Sequence, residues 1–392
     1  MVADGFDIAW STLDAAARDA GFAVFGVTSA EPLWSLVPFL EDYYREGRAS
    51  GFEHPMGEQR WHPRALFPSA QSLIAVALPY ETESRQTLRR PPGRRGVVSR
   101  YAWGQDYHRV LHGRLADLSA RLEALSGRKL RTQVCIDTSP LVDRAVALRA
   151  GIGWLGKNAM LITEKYGSYV FLGALLVDAR MEPAPTQRVN GGPHVGCGEC
   201  NRCLCACPTG ALVRPGQLDS KKCLSGVTQS KGVIPSEYAT KLGRRVWGCD
   251  TCQAVCPHNR NVASSAHCEF DPDPELAYPD LASLLSISSR RFKAVYGHMA
   301  VAWRGHQVLR RNAIIALANA HEVAAVPELL ALLSDVRPEI RGTAAWALGR
   351  LDPVGSREQV SHAAAVEGDE AARQAMAWAL VQVGARDSTG LL

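Results

Sequence analysis

The chemistry of this 392-residue chain is concentrated in its cysteines. Cys197-Gly-Glu-Cys200-Asn-Arg-Cys203-Leu-Cys205-Ala-Cys207-Pro208 is answered by Cys249-Asp-Thr-Cys252-Gln-Ala-Val-Cys256-Pro257. Close pairs of ligands, a wider gap before the last, and proline directly after it are the spacing by which thiolates hold two 4Fe-4S clusters. In that pattern the Cys-Pro cysteine of each run serves the other run's cluster. On this rule Cys197, Cys200, Cys203 and Cys256 hold one cluster. Cys207, Cys249 and Cys252 hold the second, and Cys223, on the connection between the runs, is the best candidate for its fourth ligand. Closing a loop of that length adds little entropic cost. Cys205 is expected to be a bystander. Structural zinc also uses paired CxxC elements, but it has no need of five closely spaced thiolates and two Cys-Pro steps. A disulfide framework fits less well still. The chain opens Met-Val-Ala-Asp-Gly-Phe-Asp, without the basic and apolar segments of an export signal, so reduced thiolates in a cytoplasm are expected.

A second locus is Val134-Cys-Ile-Asp137-Thr-Ser-Pro140. Residues 132–136 read as a strand, so Asp137 stands at its carboxyl end, where α/β proteins tend to place ligand-facing groups. In a partly dry pocket its pKa would rise, and a neutral carboxyl there could hand over a proton. On local sequence alone the plainer reading is an N-cap or Asx turn for the helix that follows. Cys135 is expected in the core. Gly151-Ile-Gly-Trp-Leu-Gly-Lys-Asn158 mimics a phosphate loop but follows a helix and precedes a strand, the reverse of the usual order. It reads as a turn whose glycines let the backbone approach a large ligand. A Rossmann GxGxxG after the first strand and a P-loop are both absent.

These residues need elements to hold them. Residues 8–20 carry apolar side chains at helical spacing, and 22–27 is a short apolar run that reads as a buried strand. Helix is expected again over 31–46, with proline just inside its start, and strand over 72–78. Residues 106–125 form a long amphipathic helix ending near Gly127, and 141–150 a helix closed by Gly151; 169–177 is an apolar β run. This alternation predicts a layered α/β domain over residues 1–182. Proline, glycine and asparagine mark a linker at 182–196, and a cluster module follows over 183–265, folded largely by its metal–thiolate bonds. Residues 266–392 hold an internal repeat: segments beginning at Val308, Glu339 and Ala371 align with arginine at 310, 341 and 373. Alanine-rich helical repeats of this length stack into an α-solenoid, which usually presents a binding surface.

Composition is that of an ordinary soluble protein, 46% hydrophobic and 21% charged, with a formal net charge of +5. No apolar run reaches the roughly 18 residues of a membrane span. Arginine is uneven: Arg89, Arg90, Arg94 and Arg95 crowd one loop, and Arg304, Arg310 and Arg311 another stretch. Such clusters are usually solvated faces, and charge by itself makes a weak case for nucleic acid.

Taken together, the twin cysteine runs, Asp137-Thr-Ser-Pro140, Arg144, Ala150-Gly-Ile-Gly-Trp-Leu-Gly-Lys-Asn158, Ser99-Arg-Tyr-Ala-Trp-Gly-Gln-Asp-Tyr-His108 and the repeat tail resemble the epoxyqueuosine reductase family over nearly the whole chain. The resemblance implies an N-terminal α/β cobalamin-binding domain, a ferredoxin-like module with two 4Fe-4S clusters, and a C-terminal HEAT-like solenoid. It implies a monomeric cytoplasmic enzyme that takes electrons from an external donor and reduces epoxyqueuosine at the wobble position of a tRNA anticodon to queuosine. Carried over by position, Asp137 is the proton donor, and Arg60, Tyr101 and Asp137 lie around the corrin. The arginine clusters then become candidates to touch tRNA. The chain departs from the family pattern at His62, where a carboxylate is usual, and in the stretch after Cys223. The alternatives are a reductive dehalogenase-like corrinoid enzyme acting on a small molecule and a non-catalytic electron-transfer module with an interaction solenoid.

Overall fold

The computed structural model describes residues 5–185 and 194–387, and the linker expectation at 182–196 falls largely outside them. Two compact units are each assembled from three stretches of chain: residues 1–86, 105–221 and 251–271 in the first, and 87–104, 222–250 and 272–392 in the second.

The first unit is built on a sheet of four strands, β1 (Val24–Ser29), β2 (Ser72–Pro79), β3 (Thr132–Ile136) and β4 (Val170–Val177). Their order is β1-β2-β4-β3, and every pairing is antiparallel. The two central strands are the continuous apolar runs Ser72-Leu-Ile-Ala-Val-Ala-Leu-Pro79 and Val170-Phe-Leu-Gly-Ala-Leu-Leu-Val177. Such runs suit strands covered on both faces, and all eight residues of β2 are buried. The helix Asp143–Arg149 packs on β2 and β4, with Val146 and Ala147 in the core. The helix Tyr107–Ser126 packs on β3 and β4 through Leu111, Leu115, Leu118 and Leu122, the stripe its spacing predicts. It is capped at its start by the Asp106 carboxylate, which accepts from the His108 N–H, and stopped by Gly127 in the left-handed region.

The helix expected over 31–46 is shorter. A 3₁₀ turn, Trp34–Leu36, precedes an α-helix over Val37–Arg45. Pro38 sets the boundary: with no N–H to donate, it is tolerated in the first turn of a helix and not in its interior.

In the second unit the helices His306–Asn319, Pro338–Leu351 and Glu370–Asp387 stack in sequence. The last two meet through small residues. Cβ atoms built at Gly342 and Gly349 would each come within 2.7 Å of a Cα, that of Ala372 and of Ala379 respectively. The repeated arginines act as staples: Arg310 reaches Asp335 at 2.9 Å, and Arg341 forks onto both Glu367 oxygens at 2.7 Å. Arg311 is buried and donates to the carbonyls of Ser230 and Gly232, both at 2.7 Å, and of Thr228 at 3.2 Å. Beside it Asn312 donates to the carbonyls of Thr228 and Val246. The expectation that Arg310 and Arg311 are available to RNA is therefore corrected. Both guanidinium groups are committed inside the unit, where a buried cation needs its acceptors close at hand.

Candidate functional site: cysteine loops and an aspartate–histidine–aspartate chain

Within the first unit, Cys197 ends a 3₁₀ turn, Cys203 sits in the short helix Arg202–Ala206, and Cys256 precedes the 3₁₀ turn Pro257–Asn259. Four of the cysteines influence one another electrostatically. Burial pushes the Cys203 thiol up, and Cys197 and Cys256 add to it; burial pushes Cys256 up, with Cys197 and Cys200 adding. A bound cationic centre beside them would reverse that cost. At Cys207 burial also pushes upward, but backbone N–H groups of Thr209, Leu212 and Ala211 outweigh it and bring the thiol below its usual value. Cys205 is exposed. Among the described residues no three His, Cys, Asp or Glu side chains converge as ligands of a single ion.

The two cysteine-bearing loops are tied to each other, to the turn before β4 and to the glycine turn by polar contacts. Asn259 accepts from the Ser168 N–H at 2.8 Å and donates to the Gln253 carbonyl at 2.8 Å. His258 Nε2 lies 2.8 Å from the Gly196 carbonyl, and its ring meets Trp154 edge-on. Lys157 donates to the Gly198 carbonyl at 2.7 Å and to the Asn201 side chain at 3.0 Å. The glycine turn at 151–158 thus grips the first cysteine loop. At Gly153 the close neighbour is protein: a Cβ there would lie 2.4 Å from the Ile162 carbonyl oxygen.

Of the remaining metal candidates, Cys252 lies in the helix Thr251–Ala254 of the first unit. Cys223 and Cys249 belong to the second unit, where Cys223 precedes the helix Leu224–Gln229. That helix packs on the strand Arg245–Trp247, which leads into Cys249. Tyr101 is also in the second unit, its hydroxyl accepting from Trp247 Nε1 at 2.8 Å.

Asp137 follows the last residue of β3 directly. It caps nothing: the N-cap of the next helix is Val142, with no side-chain capping bond. Its Oδ2 instead lies 3.3 Å from Nε2 of His108, whose Nδ1 is 2.7 Å from Asp106 Oδ1. The carboxylate is densely surrounded by protein, yet 61% of the side chain remains accessible. The Tyr107 ring stacks between His108 and Phe171 at centroid distances of 4.0 and 4.3 Å. The expected rise in the Asp137 pKa is overturned. Burial does push it up, but hydrogen bonding and charge from His108, then Tyr107 and Arg144, outweigh it and hold the carboxyl below its usual range. His108 moves the other way. Burial works to strip its charge, but Asp106 and Asp137 prevail and push its pKa up to about 9. Asp143 is raised by burial, against Arg144, with Asp137 adding to the rise and Arg60 opposing it.

Sequence reasoning assigned no role to Asp106 or His108. The signal was an Asp-x-His triplet at a helix start: the cap fixes the aspartate, and the residue two further on is turned back toward it.

The model of Epoxyqueuosine reductase QueG, DUF1730, matches residues 60–138, the 4Fe-4S double cluster binding domain residues 196–259, and HEAT repeats residues 302–389. An epoxyqueuosine reductase of Bacillus cereus is 45% identical over 90% of this chain and 92% of its own length. A solved epoxyqueuosine reductase holding a tRNA-Tyr epoxyqueuosine-modified stem loop is 42% identical, with TM-score 0.88 over 95% of this chain and 98% of that one. The Bacillus subtilis enzyme, solved with its catalytic aspartate loop swung out of the active site, is also 42% identical, with TM-score 0.87 and the same coverage. Its relatives across nearly the full length, and the three domain models in their order, make this chain a member of the epoxyqueuosine reductase family.

Proposed function

We propose that this chain reduces epoxyqueuosine to queuosine at the wobble position of tRNA anticodons, drawing electrons from an external donor through two 4Fe-4S clusters. The observation that carries the reading is Asp137, an accessible carboxylate hydrogen-bonded to a cationic histidine inside the segment that matches the reductase domain. Deoxygenation consumes two electrons and two protons: both carbon–oxygen bonds of the epoxide break, the alkene forms between the two carbons, and the oxygen leaves as water. The protein must therefore deliver protons where that oxygen departs, and Asp137 is the group proposed to do so.

Cysteine sets with 4Fe-4S spacing fit iron–sulfur clusters: Cys197, Cys200, Cys203 and Cys256 for one, and Cys207, Cys223, Cys249 and Cys252 for the other. For cobalamin the fit rests on buried donors without a protein partner beside the Asp137 locus. Arg60 Nε and Trp61 Nε1 are two, and the Arg60 carbonyl accepts from Val142 N–H just ahead of Asp143. The amide-fringed rim of a corrin offers acceptors for such donors. Arg60 and Asp137 are thus proposed corrin neighbours, and Tyr101 is proposed on the family resemblance. Cobalamin, when bound, supplies a centre that stores reducing equivalents arriving one at a time.

We keep three functional segments, 1–182, 183–265 and 266–392, and a monomeric, cytoplasmic enzyme as part of the same proposal. No helix among the described residues is long and apolar enough to cross a membrane. The test is anaerobic reconstitution with iron, sulfide and cobalamin, reduction, and nucleoside analysis of tRNA carrying epoxyqueuosine. Queuosine is the expected product. Unchanged epoxyqueuosine with clusters and corrin loaded would refute the reading.

A further inference from the structure

Asp137 cannot be a ready-made acid, because its neighbours favour the carboxylate. The proton must be held elsewhere. Both ring nitrogens of His108 face carboxylate oxygens, Nδ1 toward Asp106 at 2.7 Å and Nε2 toward Asp137 at 3.3 Å. Carboxylates only accept, so both contacts are hydrogen bonds at once only when the ring carries two protons. The ring is also fixed in orientation. Asp106 is held as the helix cap, and Tyr107 is clamped against Phe171, which in turn packs on Phe270.

We propose that His108 is the positioning residue and proton reservoir of the site: its imidazolium, braced by Asp106, hands the Nε2 proton to Asp137, which passes it to the departing epoxide oxygen. This rests on the proposed function and deepens it. In the balanced step, two electrons from the reduced protein break both epoxide carbon–oxygen bonds and leave the alkene, while the oxygen takes a proton that Asp137 receives from His108 as it departs. Asp137 ends the step as the carboxylate it began as, and His108 is recharged from water; the second proton of the leaving water also comes from solvent. A pKa of about 9 keeps the reservoir filled at neutral pH. The charged groups around the pair are Asp106 and Arg109 on the helix side, Asp143 and Arg144 on the helix after Asp137, and Arg60.

The test is the pH dependence of single turnover by pre-reduced, fully loaded enzyme on an epoxyqueuosine stem loop, comparing wild type with His108→Gln and Asp143→Asn. Glutamine still donates to Asp137 but has no proton to give up. Wild type is expected to lose activity as pH rises through about 9, where the imidazolium discharges. His108→Gln should be slower by about 100-fold, the lower end of general acid catalysis, and should lack that alkaline limb. A second readout needs no turnover: in the full-length holoenzyme with ¹³C-labelled histidine, the resonance missing from His108→Gln should titrate near pH 9 and not near the usual 6.5. Wild-type rates in His108→Gln, an alkaline limb that survives there and vanishes in Asp143→Asn, or a His108 resonance titrating near 6.5 would each overturn the proposal. Wild type that fails to make queuosine would instead sink the proposed function, while the titration still judges His108.

Discussion

His108 and Arg311 are both cations drawn partly or wholly out of solvent, and their surroundings differ in kind. Arg311 is sealed in, and its guanidinium ends on three backbone carbonyls. Burial lowers its pKa to about 10, so it stays charged near neutrality. His108 is held by two carboxylates, one of them on an accessible surface, and its pKa lies within reach of ordinary pH. Carbonyl acceptors fix a cation and ask nothing further of it. A carboxylate can take its proton and pass it on. A buried charge therefore points to chemistry when its partner can itself change protonation state and has a way out.

The largest expected effect tests the open side of this contrast. Asp137→Asn keeps the size and a hydrogen-bonding group beside His108 but cannot relay a proton. Turnover should fall by about 10²- to 10⁴-fold, with clusters, corrin and thermal stability retained. Near-normal turnover would remove Asp137 from the proton path.

The sealed side predicts the opposite pattern. Arg311→Met preserves much of the volume but leaves the carbonyls of Ser230 and Gly232 without the guanidinium, while that of Thr228 keeps only its bond from Asn312. Breaking such a buried charged network costs about 3–5 kcal/mol. Denaturant unfolding of the whole chain, followed through tryptophan, should show the loss in the transition of the second unit, which contains Trp103, Trp247, Trp303, Trp346 and Trp378. Stem-loop affinity per folded molecule should be unchanged. Full stability with weakened RNA binding would place Arg311 among the RNA contacts and collapse the contrast.

The same distinction explains what could be read from the sequence. Strands at 72–78 and 169–177, the capped helix at 106–125 and the repeat tail were legible because apolar periodicity, caps and glycine stops act locally. The cysteine runs were legible because ligand spacing is a sequence property. The antiparallel strand order and the folding of each unit from three separate stretches were not, because long-range pairing leaves no local trace. The Asp137 environment was misjudged for a similar reason. Burial was foreseen, but the compensating histidine comes from a helix 29 residues earlier in the chain. Arg311 was misread because an Arg-Arg pair looks alike whether it faces solvent or carbonyls.

The smallest effect is expected where arginine stays outside. In the loop that carries Arg89 to Arg95, Arg95 is tied to Glu275 and to the Tyr278 carbonyl, whereas Arg90 is exposed. If that loop meets RNA phosphates, Arg90→Gln removes one electrostatic contact and nothing that supports the fold. The slope of log affinity against log salt should then flatten by about 0.7, the share of one phosphate on a single strand, with no change in unfolding. Because counterion release is independent of sequence, the loss should be equal for stem loops with and without the modified base. A larger loss on the epoxyqueuosine-bearing loop would mean that Arg90 reads the modified nucleoside, so that this exposed cation would belong with His108 as a group serving the chemistry and not with the phosphate-holding surface.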